Sequence, residues 1–462
     1  MWGARPPVRP ILGMIGLTLG LTACLAPRLD PLDVRGAGDP SEVKEQEIWE
    51  AARQHQVELE LSEYTLEDAE LGDYLTRIAA RLIDPQQPTP GSVQLTIVRD
   101  PLPNAWVYPH GSIVVHAGLL ASMKSEDELA AVLSHEIAHH VNRDTYRQAI
   151  QNRRQAIAGM AAGVLLTAAV AAGTGVVPTD MIQTTGAIWA LVASRGYSRK
   201  LELEADRAGL TRLVAAGYDP RSSIDVFQRL SRDEEFGEPP DASRVWSTHP
   251  SLDERIESLE EILRTDDLQG EPGEGLLVGD AFVRMLGPAL LESADLEAKL
   301  GLGERARETL ARYREVRPEV ARAPFLIGES FRLEDPATHL EERLAAYALS
   351  RDLDPTSAPT HREIGMTHRC QGRSLEAVDA FIRYLRLAPD AADAGIIQMY
   401  CRELTDDLGV TAPPGVEICF GPLGAAEAPL PARPVDPLFE ARPMDEEAPY
   451  DVEPDVPEAI EP

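Results

Sequence analysis

His135-Glu136-Ile137-Ala138-His139 sets two imidazoles four residues apart, with a carboxylate beside the first. On an α-helix, residues at that spacing share one face, so both rings can reach one metal ion. Glu136 projects beside the metal, where it can take a proton from a water that zinc has acidified. The flanking sequence supports a helix. Apolar residues recur from Leu129 to about Val141, and Asp127 and Glu128 put acids at the positive end. His140 points about 100° away from His139 and reads as a surface residue.

Two histidines do not complete a catalytic zinc site, which wants a third protein ligand. The best candidate is in Glu202-Leu203-Glu204-Ala205-Asp206. Glu202 and Asp206 are four apart and share a face, whereas Glu204 is rotated by about 200°. Glu202 is therefore assigned as the third ligand. Asp206 becomes the acceptor that holds a ligand imidazole by its other N–H.

Around these two helices the chain alternates in character. Helical spacing runs from about 45 to 82, through Ile48, Ala51 and Ala52 to Leu75, Ile78, Ala79 and Leu82. Val93 to Val98 alternates like a half-buried strand. Trp106 to Tyr108, a Pro109-His110-Gly111 turn, and Ser112 to His116 suggest a hairpin. Residues 156–179 carry no charge, and their Gly content and Pro178 favour a helical hairpin on the enzyme or against a membrane over a membrane span. A second helix runs from about Ile182 through Ala215, with Gly217 placed to close it. Residues 233–246 form a polar loop and Leu252–Leu263 an amphipathic helix. Gly270–Gly275 reads as a linker.

From about 280 to 408 the pattern becomes paired helices. Pro318, Pro355 and Pro389 each follow one amphipathic helix, 37 and 34 residues apart. Gly365, Ala377 and Pro389 fall where a tetratricopeptide repeat places its small contact residues and terminal proline. Ala306 precedes Pro318 by the same twelve residues that separate Ala377 from Pro389. About three such repeats are expected, the first two degenerate. Residues 422–462 hold ten prolines and eleven acids, the composition of a disordered tail.

The N-terminus reads as an export signal over 1–23. Arg5 and Arg9 precede an uncharged apolar run ending in Leu21-Thr22-Ala23-Cys24, which resembles a bacterial lipobox. That resemblance implies lipidation of Cys24, and Leu25 in place of Asp favours the outer membrane. Residues 24–45 are then a tether. The net charge is −32, with 76 acids against 44 bases, which argues against nucleic-acid binding. Of Cys370, Cys401 and Cys419, one pair can bridge in an oxidising compartment, and the spacing does not say which.

His135 to His139, Ser198-Arg199 and Glu202 to Asp206 together resemble the zinc peptidases of the CAAX-prenyl-protease and HtpX-like family. Asn104-Ala105, Pro109-His110-Gly111, Gly118-Leu119-Leu120, and His249-Pro250 followed by Arg255 match as well. The match covers about 45–265. With an exported start and C-terminal repeats, it is similar to periplasmic BepA-like members. The resemblance implies an α+β zincin-type metallopeptidase domain over 46–268, ahead of an all-α, tetratricopeptide-like domain over 280–408. It implies one zinc per chain on His135, His139 and a glutamate, and endoproteolysis of misfolded or stalled envelope proteins. It gives His249 two roles, an inhibitory fourth ligand or a group that binds substrate or oxyanion, and Arg255 the second of these. The alternative to both is that they pin a loop. Asn104, Ala105 and Trp106 would line an edge strand that binds extended substrate. The competing function is a latent or chaperone-like outer-membrane assembly factor that acts through its repeats on assembly machinery.

Overall fold

The computed structural model describes residues 43–83, 93–152, 197–235, 252–265, 268, 276–408 and 418–419. The lipidation site expected at Cys24, the apolar segment 156–179, His249, the 270–275 linker and the tail lie outside them.

A small sheet anchors the first half. β1 (Leu95–Val98) runs parallel to β3 (Ile113–His116), and β2 (Ala105–Val107) pairs antiparallel with β3, giving the order β1-β3-β2. Strand periodicity sends alternate side chains to opposite faces. Ile97, Ala105, Val107, Ile113 and Val115 join the main core with α2 (Ala69–Leu82) and α4 (Glu126–Val141). Val98, Tyr108 and Val114 pack on the other face against Ala52 of α1 (Val43–Glu60). All of β3 is buried because both faces are covered.

The helical spacing over 45–82 belongs to two helices. The chain breaks after Glu60 because Tyr64 O accepts from Arg99 N and Leu66 N donates to Ile97 O, so the connection pairs with the edge of β1. α3 (Ala117–Ser122) follows β3 directly. Ser125 caps α4 by accepting from Glu128 N at 3.2 Å, and three acids fill the first turn. The helix therefore begins three residues before the expected Leu129. α5 (Arg199–Ala215) ends at Gly217, where φ is +81° and Tyr218 N donates to Leu213 O. α6 (Ser222–Glu235) and α7 (Leu252–Thr265) complete this half.

Helices then follow one another: α8 (Asp280–Met285), α9 (Gly287–Lys299), α10 (Gly303–Val316), α11 (Arg322–Glu334), α12 (Leu340–Leu353), α13 (Ala358–Cys370), α14 (Ser374–Leu387) and α15 (Ala394–Leu408). From α9 onward each packs on the next. A Cβ on Gly328 would lie 2.3 Å from the Tyr347 ring, and one on Gly365 would lie 2.4 Å from Phe381. In both pairs, glycine on the first helix admits an aromatic from the second. Ala306 and Ala377 are fully buried. Cys401 bridges Cys419, leaving Cys370 exposed.

The main core does not stop at the expected linker. It continues from Leu71 through Leu310 and Leu326, α9 packs on α3, and Arg312 donates to the carbonyls of Ala121 and Met123 at 2.9 and 2.6 Å. No helix among the described residues is long and apolar enough to cross a membrane.

Candidate metal centre

α4 and α5 cross at a point of very close approach. A Cβ on Gly209 would lie 3.1 Å from both the backbone N and Cα of His135. Gly209 is two turns beyond Glu202 on the same face. Its missing side chain lets α5 approach closely enough for Glu202 to reach the histidines.

The two histidine Nε2 atoms are 3.0 Å apart. Glu202 lies 3.5 Å from His135 Nε2 through one oxygen and 3.7 Å from His139 Nε2 through the other. All three side chains are buried, and their donor atoms form one cluster. The outer nitrogens set the tautomers. His135 Nδ1 donates to Asp206 Oδ1 at 2.9 Å, and His139 Nδ1 to Asp144 Oδ2 at 2.8 Å. An ionised carboxylate only accepts, so each ring keeps its proton outward and turns a lone pair inward. Two imidazole lone pairs and a carboxylate converging in a buried space fit zinc.

Each imidazole carries a carboxylate, and each carboxylate an arginine. Arg255 donates from Nε and Nη2 to Asp206 at 2.9 and 2.7 Å. Its guanidinium lies over the Phe227 ring at 4.2 Å, and its Nη1 is 3.3 Å from Glu202. Burial alone would raise the Asp206 pKa, but the Arg255 charge and the bond from His135 hold it down at about 2. On the other side Arg147 donates to Asp144 at 2.7 Å and to Glu204 at 2.6 Å, tying the stretch after α4 to α5. Tyr197 stacks on His139 with ring centres 4.0 Å apart. Burial opposes a charge on His139, yet Asp144, Glu202 and Glu136 together raise its pKa. Glu136 is fully buried. Burial raises its pKa against the lowering effect of both imidazoles.

No motif or spacing in the sequence singles out Asp144. It sits past the end of α4, where helical period says nothing, and its only sequence signal is an acid five residues after a ligand histidine. His140 is buried rather than on the surface. Its Nδ1 donates to Pro109 O at 3.0 Å, and a Cβ on Gly111, where φ is +101°, would lie 2.9 Å from its ring. The histidine fills the space left by the turn's glycine. Trp106 divides in two. Its backbone is on β2, next to α4, but its ring packs on the α1 face, edge-on to His116 at 5.4 Å. Ala105 is buried toward α4, and Asn104 O accepts from His116 N at 2.9 Å. Arg255, cast beside His249 as an oxyanion or substrate group, is placed behind the ligands with two of its bonds on Asp206.

A helix-borne pair of histidines with a glutamate from a second helix defines a zinc-peptidase type of centre. The comparisons agree. Residues 66–263 match the model for Peptidase family M48. The chain is 32% identical over 205 residues to "Mitochondrial metalloendopeptidase OMA1" of Schizosaccharomyces pombe, covering 44% of this chain and 56% of the relative. It is 34% identical over 170 residues to the Arabidopsis thaliana protein of the same name, covering 36% and 31%. It is 28% identical over 194 residues to "Beta-barrel assembly-enhancing protease" of Yersinia pestis, covering 41% and 38%. The chain thus spans only about a third to somewhat over half of these relatives.

Proposed function

We propose that this chain is a zinc metalloendopeptidase that cleaves misfolded or stalled proteins of the cell envelope, tethered to the outer membrane through Cys24. The observation that carries the activity is the buried donor set His135, His139 and Glu202 with Glu136 on the same helix turn. The relatives' names, a metalloendopeptidase and a protease enhancing β-barrel assembly, support the reaction and the substrate class.

Bound zinc supplies Lewis acidity that polarises the scissile carbonyl and makes water acidic enough to attack. Glu136 takes a proton from the attacking water as its oxygen bonds to the carbonyl carbon. It then returns that proton to the amine as the C–N bond breaks. Asp206 and Asp144 keep the imidazoles oriented, and Arg255 keeps Asp206 charged. The edge of β2, which pairs with no other strand among the described residues, offers main-chain groups of Asn104 to Val107 to an extended substrate. The consecutive helix pairs, read as tetratricopeptide-like repeats, supply a surface for the substrate or for assembly machinery.

The burial of Glu136 favours a latent resting state. His249 is the candidate latch as a fourth ligand, and His249→Ala should then raise proteolysis several-fold; equal or lower activity refutes the latch. The test of the central reading is Glu136→Gln in the full chain, with unfolded polypeptide as substrate and bound zinc quantified. Proteolysis should fall by about 10²–10⁴-fold with zinc retained. Unchanged cleavage would overturn the assignment.

A further inference from the structure

α1 ends at Glu60, before the segment matched to the peptidase family begins at 66, yet its first turns bear on the metal centre. Arg143 donates from Nε to Glu45 Oε1 at 2.9 Å and from Nη2 to Glu45 Oε2, and both side chains are buried. Arg143 has φ +60°, a left-handed conformation that L-residues with a Cβ avoid. That residue turns the chain just after α4, and the next one, Asp144, comes back onto His139 Nδ1. A second contact converges on the same imidazole. Ile48, one turn beyond Glu45, packs with Tyr146, Tyr197 and Leu201, and Tyr197 is the ring stacked on His139. Glu45 thus acts on His139 through Arg143 and Asp144, and Ile48 acts on it through Tyr197.

We propose that the first turns of α1 belong to the metal centre, with Glu45 and Ile48 as positioning residues that set the orientation of His139 and hence the affinity for zinc. The proposal rests on the reading of His135, His139 and Glu202 as the zinc ligands. The buried ion pair helps hold this backbone turn, together with the bonds from Arg143 N to His140 O and from Arg147 to Asp144. Losing it frees Asp144 to move off the imidazole, and loss of such an outer partner costs roughly 10–100-fold in metal affinity.

The test is zinc affinity and release rate, measured by competition with a chelator on the full chain for wild type, Glu45→Gln, Asp144→Asn and the double variant. Glu45→Gln should weaken zinc roughly tenfold or more. The double variant should bind about as Asp144→Asn does alone, because both residues act through one path. Ile48→Ala, which leaves the ion pair intact, should weaken zinc several-fold and provides the answer if Glu45→Gln does not fold. Cobalt(II) in place of zinc adds a readout of ligand geometry: its visible bands should shift in Glu45→Gln. A lower melting temperature with zinc affinity and cobalt spectrum unchanged would overturn the proposal, leaving Glu45 a purely structural residue. So would additive losses in the double variant. If His139→Ala binds zinc as the wild type does, the ligand assignment itself has failed, which is a different result.

Discussion

The two imidazoles of the metal centre are held in contrasting ways. The His135 side is assembled from distant parts of the chain. Its carboxylate, Asp206, comes from α5 and that carboxylate's arginine, Arg255, from α7, so three helices must dock before the ring is fixed. The His139 side is assembled nearby. Asp144 lies five residues on, across one left-handed residue, and Arg147 only three further. The first side depends on tertiary packing and on a charged pair that is almost wholly out of water. The second depends on a local turn and on what pins that turn. The same chemical task is therefore vulnerable to different insults on its two sides.

The largest loss of zinc is expected from Glu202→Gln, because Glu202 contacts both sides. Affinity should fall by more than about 100-fold, beyond the loss of an outer partner, and full occupancy in equilibrium dialysis would move the third ligand elsewhere. Gly209→Val comes next. The added side chain pushes α5 away from the His135 backbone, so it should strip zinc and destabilise the fold by about 1–3 kcal/mol. Melting with and without a chelator would show the variant nearly insensitive to metal. The direct comparison is Asp206→Asn against Asp144→Asn. Each should weaken zinc by roughly 10–100-fold. Only Asp206→Asn leaves a fully buried arginine without its principal carboxylate, at a cost of about 3–5 kcal/mol in the metal-free protein. Equal metal-free stabilities would break the contrast between the two sides.

Glu297 should have the smallest effect on zinc, and it serves as the reference. Burial between α9 and α10 pushes its pKa up to about 7 despite Arg305 beside it. A carboxyl that binds its proton more tightly when folded favours the fold at low pH. That contribution is complete below about pH 4.5 and is lost as pH rises through about 7. Glu297→Gln should flatten this part of the stability profile while zinc affinity stays at the wild-type value.

Much of the centre was legible because helical period carries it. His135 and His139 share a face of α4, and Glu202 and Asp206 share a face of α5, so spacing alone grouped them. The Pro109-His110-Gly111 turn likewise announced the β2–β3 hairpin. What escaped lies where period stops. Asp144 follows a left-handed residue that is an arginine, where glycine would have been the expected signal. Gly209 looks like an ordinary helix glycine until another backbone is laid against it. Spacing alone puts His140 on the surface, because a helix wheel does not show that Trp49 and the Gly111 turn enclose it. The Trp106 ring faces α1 because strand alternation sends Ala105 and Val107 toward α4, a choice that only the sheet's surroundings decide.

The shared core that runs from Leu71 into α11 also bears on how the protein comes into being. A chain made from its N-terminus holds all three ligands once Glu202 has been added, yet Leu326 is 124 residues further on. At ordinary rates of synthesis that interval is roughly ten seconds. During it, α3 lacks α9 and the carbonyls of Ala121 and Met123 lack Arg312. The apolar surface that α9 to α11 will cover is open to water throughout. Completion of the core is thus coupled to arrival of the helical array, and a product broken off before about residue 330 carries the candidate ligands with part of its core exposed.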